Sequence, residues 1–435
     1  MAAEDRGPAA TLLGLTDFRR YLIVILCTLF AFELQTVAVS WQLYEATRDA
    51  LSLGLIGLAG AIPFLSTALF SGHLADTYDR RRLCLLALLL LVGCTGILVT
   101  ISLNGVATSH HWTIYAVIVA AGFARSILLP ARSALTVELV PRNLLELAVR
   151  LRSTVFQLGS VAARGISGFV YGWGQSLGHG AGFTHALSGA MLILAMVMLF
   201  PVRPTTQPQP VRSESMLQSL GEGMRFVFGN RVLFGAMLLD LLGVLFGDAI
   251  ILMPIFSDQI WHVGPQGLGL LRASPAAGAV LMAFILIRRP PLQNAGRTLL
   301  LAVGGFGLAM IGLACSPWFL MAAGFLVIGG ACDFVSVTVR GVMLQVLTPP
   351  HLLGRATSLQ QMFVWCSNEI GGFESGVAAR LLGLVPSVIV GGAMTLGVTV
   401  GTAWWNPQLR RLGRISSPVV APAPNEGVAP AVLPD

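Results

Sequence analysis

Ionisable side chains within long apolar stretches are the residues of this sequence that could do chemistry. Glu33 lies in the middle of one such stretch, with Gln35 two positions later. Asp240 and Asp248 lie eight residues apart in another, which predicts one helix face for both. A charge at the centre of a bilayer costs about 2.5–3.5 kcal/mol. Each of these charges therefore needs an oppositely charged partner, contact with water or a functional role. These acids could bind and release a cation, or form salt bridges and caps that hold helices together.

Two pairs of charges follow the same spacing in different parts of the chain. Arg125 and Arg132 are seven residues apart, as are Asp333 and Arg340, and the two pairs are separated by a constant 208 positions. In one interpretation Arg125 faces an acid of the second half and forms a gate. In the other, the arginines anchor the ends of their helices. We expect Arg125 to face the interior, and Arg132 and Arg340 to be structural.

Arg164 also lies in an apolar context and needs an explanation. With Glu138 or Glu33 as its partner, it would be a buried structural residue. If it faces a cavity instead, it would attract an anionic substrate. The sequence leaves both possibilities open.

A further polar group occurs near the end of the chain, where Trp365, Asn368 and Glu369 follow Phe363 and precede Glu374. The aromatic residues could simply pack or face lipid. Together with Asn368 and Glu369, they could instead line a site for an aromatic or amphipathic substrate.

Composition shows which elements must position these residues. The 435-residue chain is 55% hydrophobic and only 11% charged, whereas soluble proteins carry about 25% charge. Apolar stretches of bilayer-spanning length predict twelve transmembrane helices. They are expected at 20–43, 52–75, 83–103, 112–135, 144–173, 180–200, 232–257, 265–287, 297–315, 317–347, 354–382 and 383–405.

The distribution of arginine and proline predicts the organisation of these helices. Arginines concentrate on alternate loops, and the opposite loops offer little beyond Arg48 and Arg380. By the positive-inside rule, both termini are cytoplasmic. The 208-residue repeat predicts two pseudo-symmetric six-helix bundles with a cavity between them. The predicted segments are 1–19 (N-terminal), 20–200 (first bundle), 201–231 (linker), 232–405 (second bundle) and 406–435 (disordered tail).

The charged hinge between the second and third stretches resembles the loop signature of the major facilitator superfamily. It reads Gly-His-Leu-Ala-Asp-Thr-Tyr-Asp-Arg-Arg over residues 72–81, with Thr77 and Asp79 departing from the usual pattern. The resemblance implies a conformational lock that does not touch substrate. Its members would be Gly72, Asp76, Arg80 and Arg81, with Gly354 and Arg355 in the second half.

Three other stretches resemble, more narrowly, the enterobactin-exporter branch of that superfamily. They are Leu139–Leu144, Leu158–Val161 and Met343–Arg355. The resemblance implies export of a siderophore-like molecule by an antiporter. The helix-five motif of that branch normally carries a proline near the position of Gly165, and this chain has Arg164 there instead.

We therefore predict an all-helical bacterial inner-membrane transporter that exports a siderophore-like or other small amphipathic molecule, coupled to protons. One alternative is a multidrug or metabolite exporter. The other is a transport-inactive receptor or assembly protein, and the presence of Arg164 in place of proline favours this second alternative. The expected partners are a small-molecule substrate, protons and lipid, with no nucleic acid, cofactor or metal, and the expected state is a monomer. The sequence has no phosphate-binding loop or nucleophile set, which argues against an enzyme.

Overall fold

The computed structural model describes residues 12–104, 111–203, 216–288, 293–349 and 352–413, except the side chains at 64, 65, 68–73, 75–77, 142 and 216–220. Within these ranges the chain is helical and forms twelve long helices. They are α1 (Thr16–Thr47), α2 (Ala50–Thr77), α3 (Arg80–Leu103), α4 (Trp112–Leu139), α5 (Leu145–Ser176), α6 (Gly180–Leu199), α7 (Arg231–Gly247), α8 (Gly264–Ile287), α9 (Ala295–Ala314), α10 (Phe319–Leu347), α11 (Leu353–Leu382) and α12 (Leu384–Trp405). A linker helix, Met216–Gly229, precedes α7. The predicted all-helical fold is confirmed.

These segments are helical because lipid offers no hydrogen-bond partner, so a spanning segment must satisfy its own backbone groups. Most of them are apolar because polar side chains are costly in the bilayer. In the described part of the chain, nine segments are long and apolar enough to cross a membrane. Helices α5 and α11 are not among them, and the apolar part of α2 that is described runs from Ala50 to Pro63. Helices α5 and α11 both pack against the other half of the molecule, so they are not surrounded by lipid.

Helix α7 corrects the sequence prediction. A continuous helix was expected over 232–257, but the α-helix ends at Gly247 and Asp248 adopts an extended conformation. Short helical turns then continue to Ile260. Asp240 and Asp248 therefore do not lie on one face of a single helix. The Asp248 side chain accepts a hydrogen bond from the Ile250 N–H at 3.0 Å, which stabilises the chain where the helix ends.

The two halves, α1–α6 and α7–α12, meet through paired glycines. Helices α5 and α8 touch at Gly168 and Gly269, and α2 and α11 touch at Gly54 and Gly376. Only residues without a Cβ let helix backbones approach this closely. Gly168 and Gly376 are again separated by 208 positions, so the repeat seen in the charges extends to the packing.

These contacts lie towards one end of the molecule. We call this end, where α1 meets α2 and α5 meets α6, the far face, and the end carrying the linker helix the linker face. At the far face, ion pairs among described residues join the halves: Arg48 to Asp258 and Arg380 to Asp49. At the linker face, Arg80 binds Glu138 within the first half. The two ion pairs that join the halves at the far face therefore reinforce the glycine contacts there.

Candidate functional site

Glu33 and Arg164 form an ion pair that joins α1 to α5. Arg164 Nε donates to Glu33 Oε1 at 3.1 Å, and the two side chains are 36% and 15% exposed. Glu138, the other partner considered from sequence, instead accepts from Arg80 on α3. Arg164 thus has the partner that accounts for its burial, but it stays accessible enough to contact a solute.

Arg125 of α4 extends this polar group within the first half. Its Nη2 donates to Gln35 Oε1 at 2.8 Å, and its guanidinium lies 4.3 Å from the centre of the Phe32 ring. Its buried Nε has no hydrogen-bond partner. Glu369 of α11 is close enough for an attractive electrostatic interaction with Arg125. A gate in which Arg125 faces an acid of the second half therefore stays a prediction.

Asp248 brings a second acid to the same region from the other half. Its carboxylate is within electrostatic range of Arg164 and of Arg272. Its backbone carbonyl accepts a hydrogen bond from Ser375 Oγ at 2.9 Å, which fixes the broken end of α7 against α11. The break in the helix thus leaves the Asp248 carboxylate near Arg164 and Arg272, while its backbone is held within the second half.

Asp240 lies in a different environment. It accepts from Arg340 at 2.5 Å, and the two side chains are only 5% and 3% exposed. The pair holds α7 to α10 inside the second half, which matches the structural alternative considered for Asp240. Asp333 is exposed beside it and lines a small cleft with Ser336.

Arg132 is also held within its own half. Its Nη1 donates to Thr28 Oγ1 at 2.7 Å, and its carbonyl accepts from the Tyr21 hydroxyl at 2.7 Å. These bonds tie α4 to α1 near the linker face. The contacts of Arg132 and Arg340 therefore support a structural role for both residues.

The structure adds Arg272, which sequence reasoning missed. It lies on α8 and is close enough to Glu33, Arg164 and Asp248 to interact electrostatically with all three. Its Nη1 is buried without a hydrogen-bond partner. The signal was available, because Arg272 is an isolated charge in an apolar segment and the rule that selected Glu33 applies to it equally.

Of the three α11 residues predicted to line a site, only Glu369 lies near the charged residues described above. Glu369 lies beside Gly60 of α2 and interacts with Arg125, whereas Trp365 and Asn368 are exposed. The Asn368 Nδ2 donates to the Val364 carbonyl of its own helix at 2.8 Å. In the described part of the chain, no group of three or more His, Cys, Asp or Glu side chains could hold a metal.

The lock residues lie at the linker face. Arg81 donates to the Phe200 carbonyl, and Arg355 binds Glu222 of the linker helix. Gly354 has open space where a Cβ would be. The side chains of positions 72 and 76 fall outside the described residues, so the predicted roles of Gly72 and Asp76 stay predictions.

Comparison with known proteins identifies the family. The family described as transmembrane secretion effector, a branch of the major facilitator superfamily, matches residues 13–429. The chain belongs to this family. A relative in this superfamily, the enterobactin exporter of Shigella boydii, is 28% identical over 369 residues, which cover 84% of each chain. The enterobactin exporter of Escherichia coli O1:K1 / APEC is 27% identical over the same share.

Solved structures of superfamily members share the fold. A nucleoside transporter matches with a TM-score of 0.71 and 11% identity. The match covers 90% of this chain and 100% of the nucleoside transporter chain. A D-xylose–proton symporter matches with a TM-score of 0.67 and 14% identity, covering 91% and 99%. Together with the family match, these findings show a multi-pass membrane transporter with the major facilitator fold.

Proposed function

We propose that this transporter exports a siderophore-like or other small amphipathic molecule across the bacterial inner membrane, by alternating access and in exchange for protons. The observation that carries the proposal is a group of four charges between the halves, which we call the central cluster: Glu33, Arg164, Asp248 and Arg272. Each half supplies one acid and one arginine. A site built from both halves changes when the halves move, as alternating access requires.

Burial of this cluster is costly, which supports a functional role. Removing an ion from water costs several kcal/mol unless its interactions compensate. Only the Glu33–Arg164 pair in the cluster is within salt-bridge distance. The other two charges, Asp248 and Arg272, can be stabilised where water or substrate enters between the halves.

The distribution of inter-half contacts supports alternating access. The paired glycines and the Arg48–Asp258 bond close the far face among the described residues. With both termini in the cytoplasm, the far face is the periplasmic side, and these contacts close it. Rocking of the halves would break the contacts and open the periplasmic side.

The proposed substrate class comes from the relatives, which are named as enterobactin exporters. Proton exchange is the driving force that the residues support, since the cluster contains two carboxylates that can bind and release protons. One proton crossing about 100 mV releases about 2.3 kcal/mol.

The test is flux in proteoliposomes under an imposed pH gradient, with enterobactin as the substrate. We expect wild type to couple enterobactin movement to proton movement, and Glu33→Gln and Asp248→Asn to abolish this coupling. Asparagine retains the oxygen that accepts from the Ile250 N–H, so Asp248→Asn removes charge without removing this bond. Glu146→Gln is the control, because Glu146 is an exposed acid on α5. Full coupled activity in both cluster variants would remove these acids from the mechanism.

Two other functions use the same fold. A multidrug or metabolite exporter would show proton-coupled flux with other compounds and none with enterobactin. A transport-inactive receptor is favoured by one observation, the Arg164–Glu33 pair, which ties up an acid that would otherwise exchange protons. A folded protein that moves no protons with any compound tested would support the receptor.

A further inference from the structure

The charges of the central cluster are unequally satisfied. In the first half, Arg164 and Glu33 bind each other through one hydrogen bond. In the second half, an Asp248 oxygen accepts from the Ile250 N–H, and no hydrogen bond or ion pair joins Arg272 to any described residue. Arg272 is therefore a partly buried cation, with a buried Nη1, that has no hydrogen-bonded or ion-paired counterion among the described residues.

Arg272 also has a second arginine nearby. Arg164 lies on α5 and Arg272 on α8, and these helices approach closely through Gly168 and Gly269, one turn away from each arginine. The charges of Arg164 and Arg272 are close enough to repel each other. Arg164 binds Glu33 through Nε, and its terminal nitrogens have no hydrogen-bond partner among described residues. Two guanidinium groups from opposite halves thus offer free donors across the same boundary.

We propose that Arg272, together with Arg164, binds an anionic group of the substrate between the two halves. This inference rests on the proposed function, and it specifies a substrate that carries a carboxylate or a similar planar oxyanion. The guanidinium presents its donors in a fixed fork that matches such a group, and charged hydrogen bonds of this kind are about twice as strong as neutral ones. The bound anion also relieves the repulsion between the two arginines.

The competing explanation is that Arg272 is only a counterion for Asp248 in another conformation. That role requires positive charge near Asp248 but no selectivity for anionic ligands. The two explanations therefore differ in how the protein responds to a matched pair of charged and neutral compounds.

Ligand-observed fluorine NMR with protein in nanodiscs distinguishes them. The probes are para-fluorobenzoate and para-fluorobenzamide, which have similar shape and differ in charge, and empty nanodiscs correct for partition into lipid. We expect the wild-type protein to broaden the benzoate signal and to leave the benzamide signal at the empty-nanodisc value. Arg272→Gln should weaken benzoate binding at least tenfold, and Arg272→Lys should have an intermediate effect, because lysine keeps the charge and loses the fork.

The matched control is Arg288→Gln, which removes the exposed arginine that follows α8 at the linker face. It should bind benzoate like wild type. Size-exclusion profiles and thermal denaturation show which variants are folded. If Arg272→Gln is not folded, benzoate binding by Arg272→Lys is compared with that of wild type instead. Equal binding of the two probes to wild type, no binding of either, or unchanged benzoate binding in folded Arg272 variants would overturn the proposal. Arg272-dependent benzoate binding without enterobactin export would instead retain the anion site and reject the proposed function.

Discussion

At the scale of residues, burial separates two kinds of charge in this protein. The Asp240–Arg340 pair is almost completely enclosed, whereas Glu33 and Arg164 keep measurable exposure. A buried pair is costly to break from one side, because the remaining charge has neither water nor partner. A partly exposed pair can be solvated, so breaking it affects function more than stability.

This difference predicts the outcome of removing one acid. Asp240→Ala should lower the free energy of unfolding by about 3–5 kcal/mol, since Arg340 would be left buried and unpaired. Denaturant titration of purified protein in mild detergent measures the change. The double variant Asp240→Leu/Arg340→Met should be less destabilised than either single variant, because it leaves no unpaired charge. Additive losses in the double variant would contradict a direct pairing.

The sequence indicates which residues are unusual but not which residues meet. Glu33, Arg125 and Arg164 are recognisable because charges are rare in apolar segments. Their partners depend on which helices are neighbours, and the chain order does not reveal this. Arg48 and Arg380 stood out from sequence only as exceptions to the arginine asymmetry, yet each forms an ion pair between the halves.

At the scale of elements, helix boundaries were predictable and helix contacts were not. Hydropathy predicts the spans well because each helix must cover a bilayer. The end of α7 at Gly247 departs from this, since the chain remains apolar while the backbone turns. The close approach of α5 to α8 could not be predicted from hydropathy either, since it depends on glycines that face each other.

The glycine contact predicts a change in conformational equilibrium. A Cβ at position 168 would lie 2.5 Å from Gly269 Cα, so Gly168→Ala should push α5 away from α8 and favour opening of the far face. Gly165→Ala is a matched control on the same helix, because its Cβ would lie 3.6 Å from Ala273 Cβ, an ordinary contact distance. Electron paramagnetic resonance between spin labels at Gln175 and His262 measures the separation. Equal distance distributions in the two variants would exclude this role for Gly168.

At the scale of the whole molecule, a few polar contacts add to the glycine and apolar packing that closes the far face. Asp258 accepts from Arg48 at 2.5 Å and from the Tyr44 hydroxyl at 2.7 Å. Arg48 is 59% exposed, so solvent screens the ion pair and its contribution is about 0.2–1 kcal/mol. Such a contact can bias an equilibrium between two states without preventing their exchange.

The weakness of this ion pair predicts that its contribution to closure depends on charge and salt. Asp258→Asn should shift the distance distribution between the same labels towards the open far face by up to about fivefold in population, which corresponds to about 1 kcal/mol. Added salt should produce a shift in the same direction in wild type and little change in the variant. A salt response of equal size in both proteins would assign the effect to other charges.

Transport by alternating access requires that the far face open in every cycle, which can be tested by preventing it. In a background with the six native cysteines replaced, Arg48→Cys/Asp258→Cys joined by a short bis-maleimide should abolish proteoliposome export, because the linker would hold the two halves together. The matched control is Glu45→Cys/Gln175→Cys, whose native side chains lie 3.3 Å apart within the first half. Its cross-link should leave export close to that of the unlinked protein, since the halves move as units. Full export with the Arg48–Asp258 positions linked would show that substrate leaves without separation of the halves at this face.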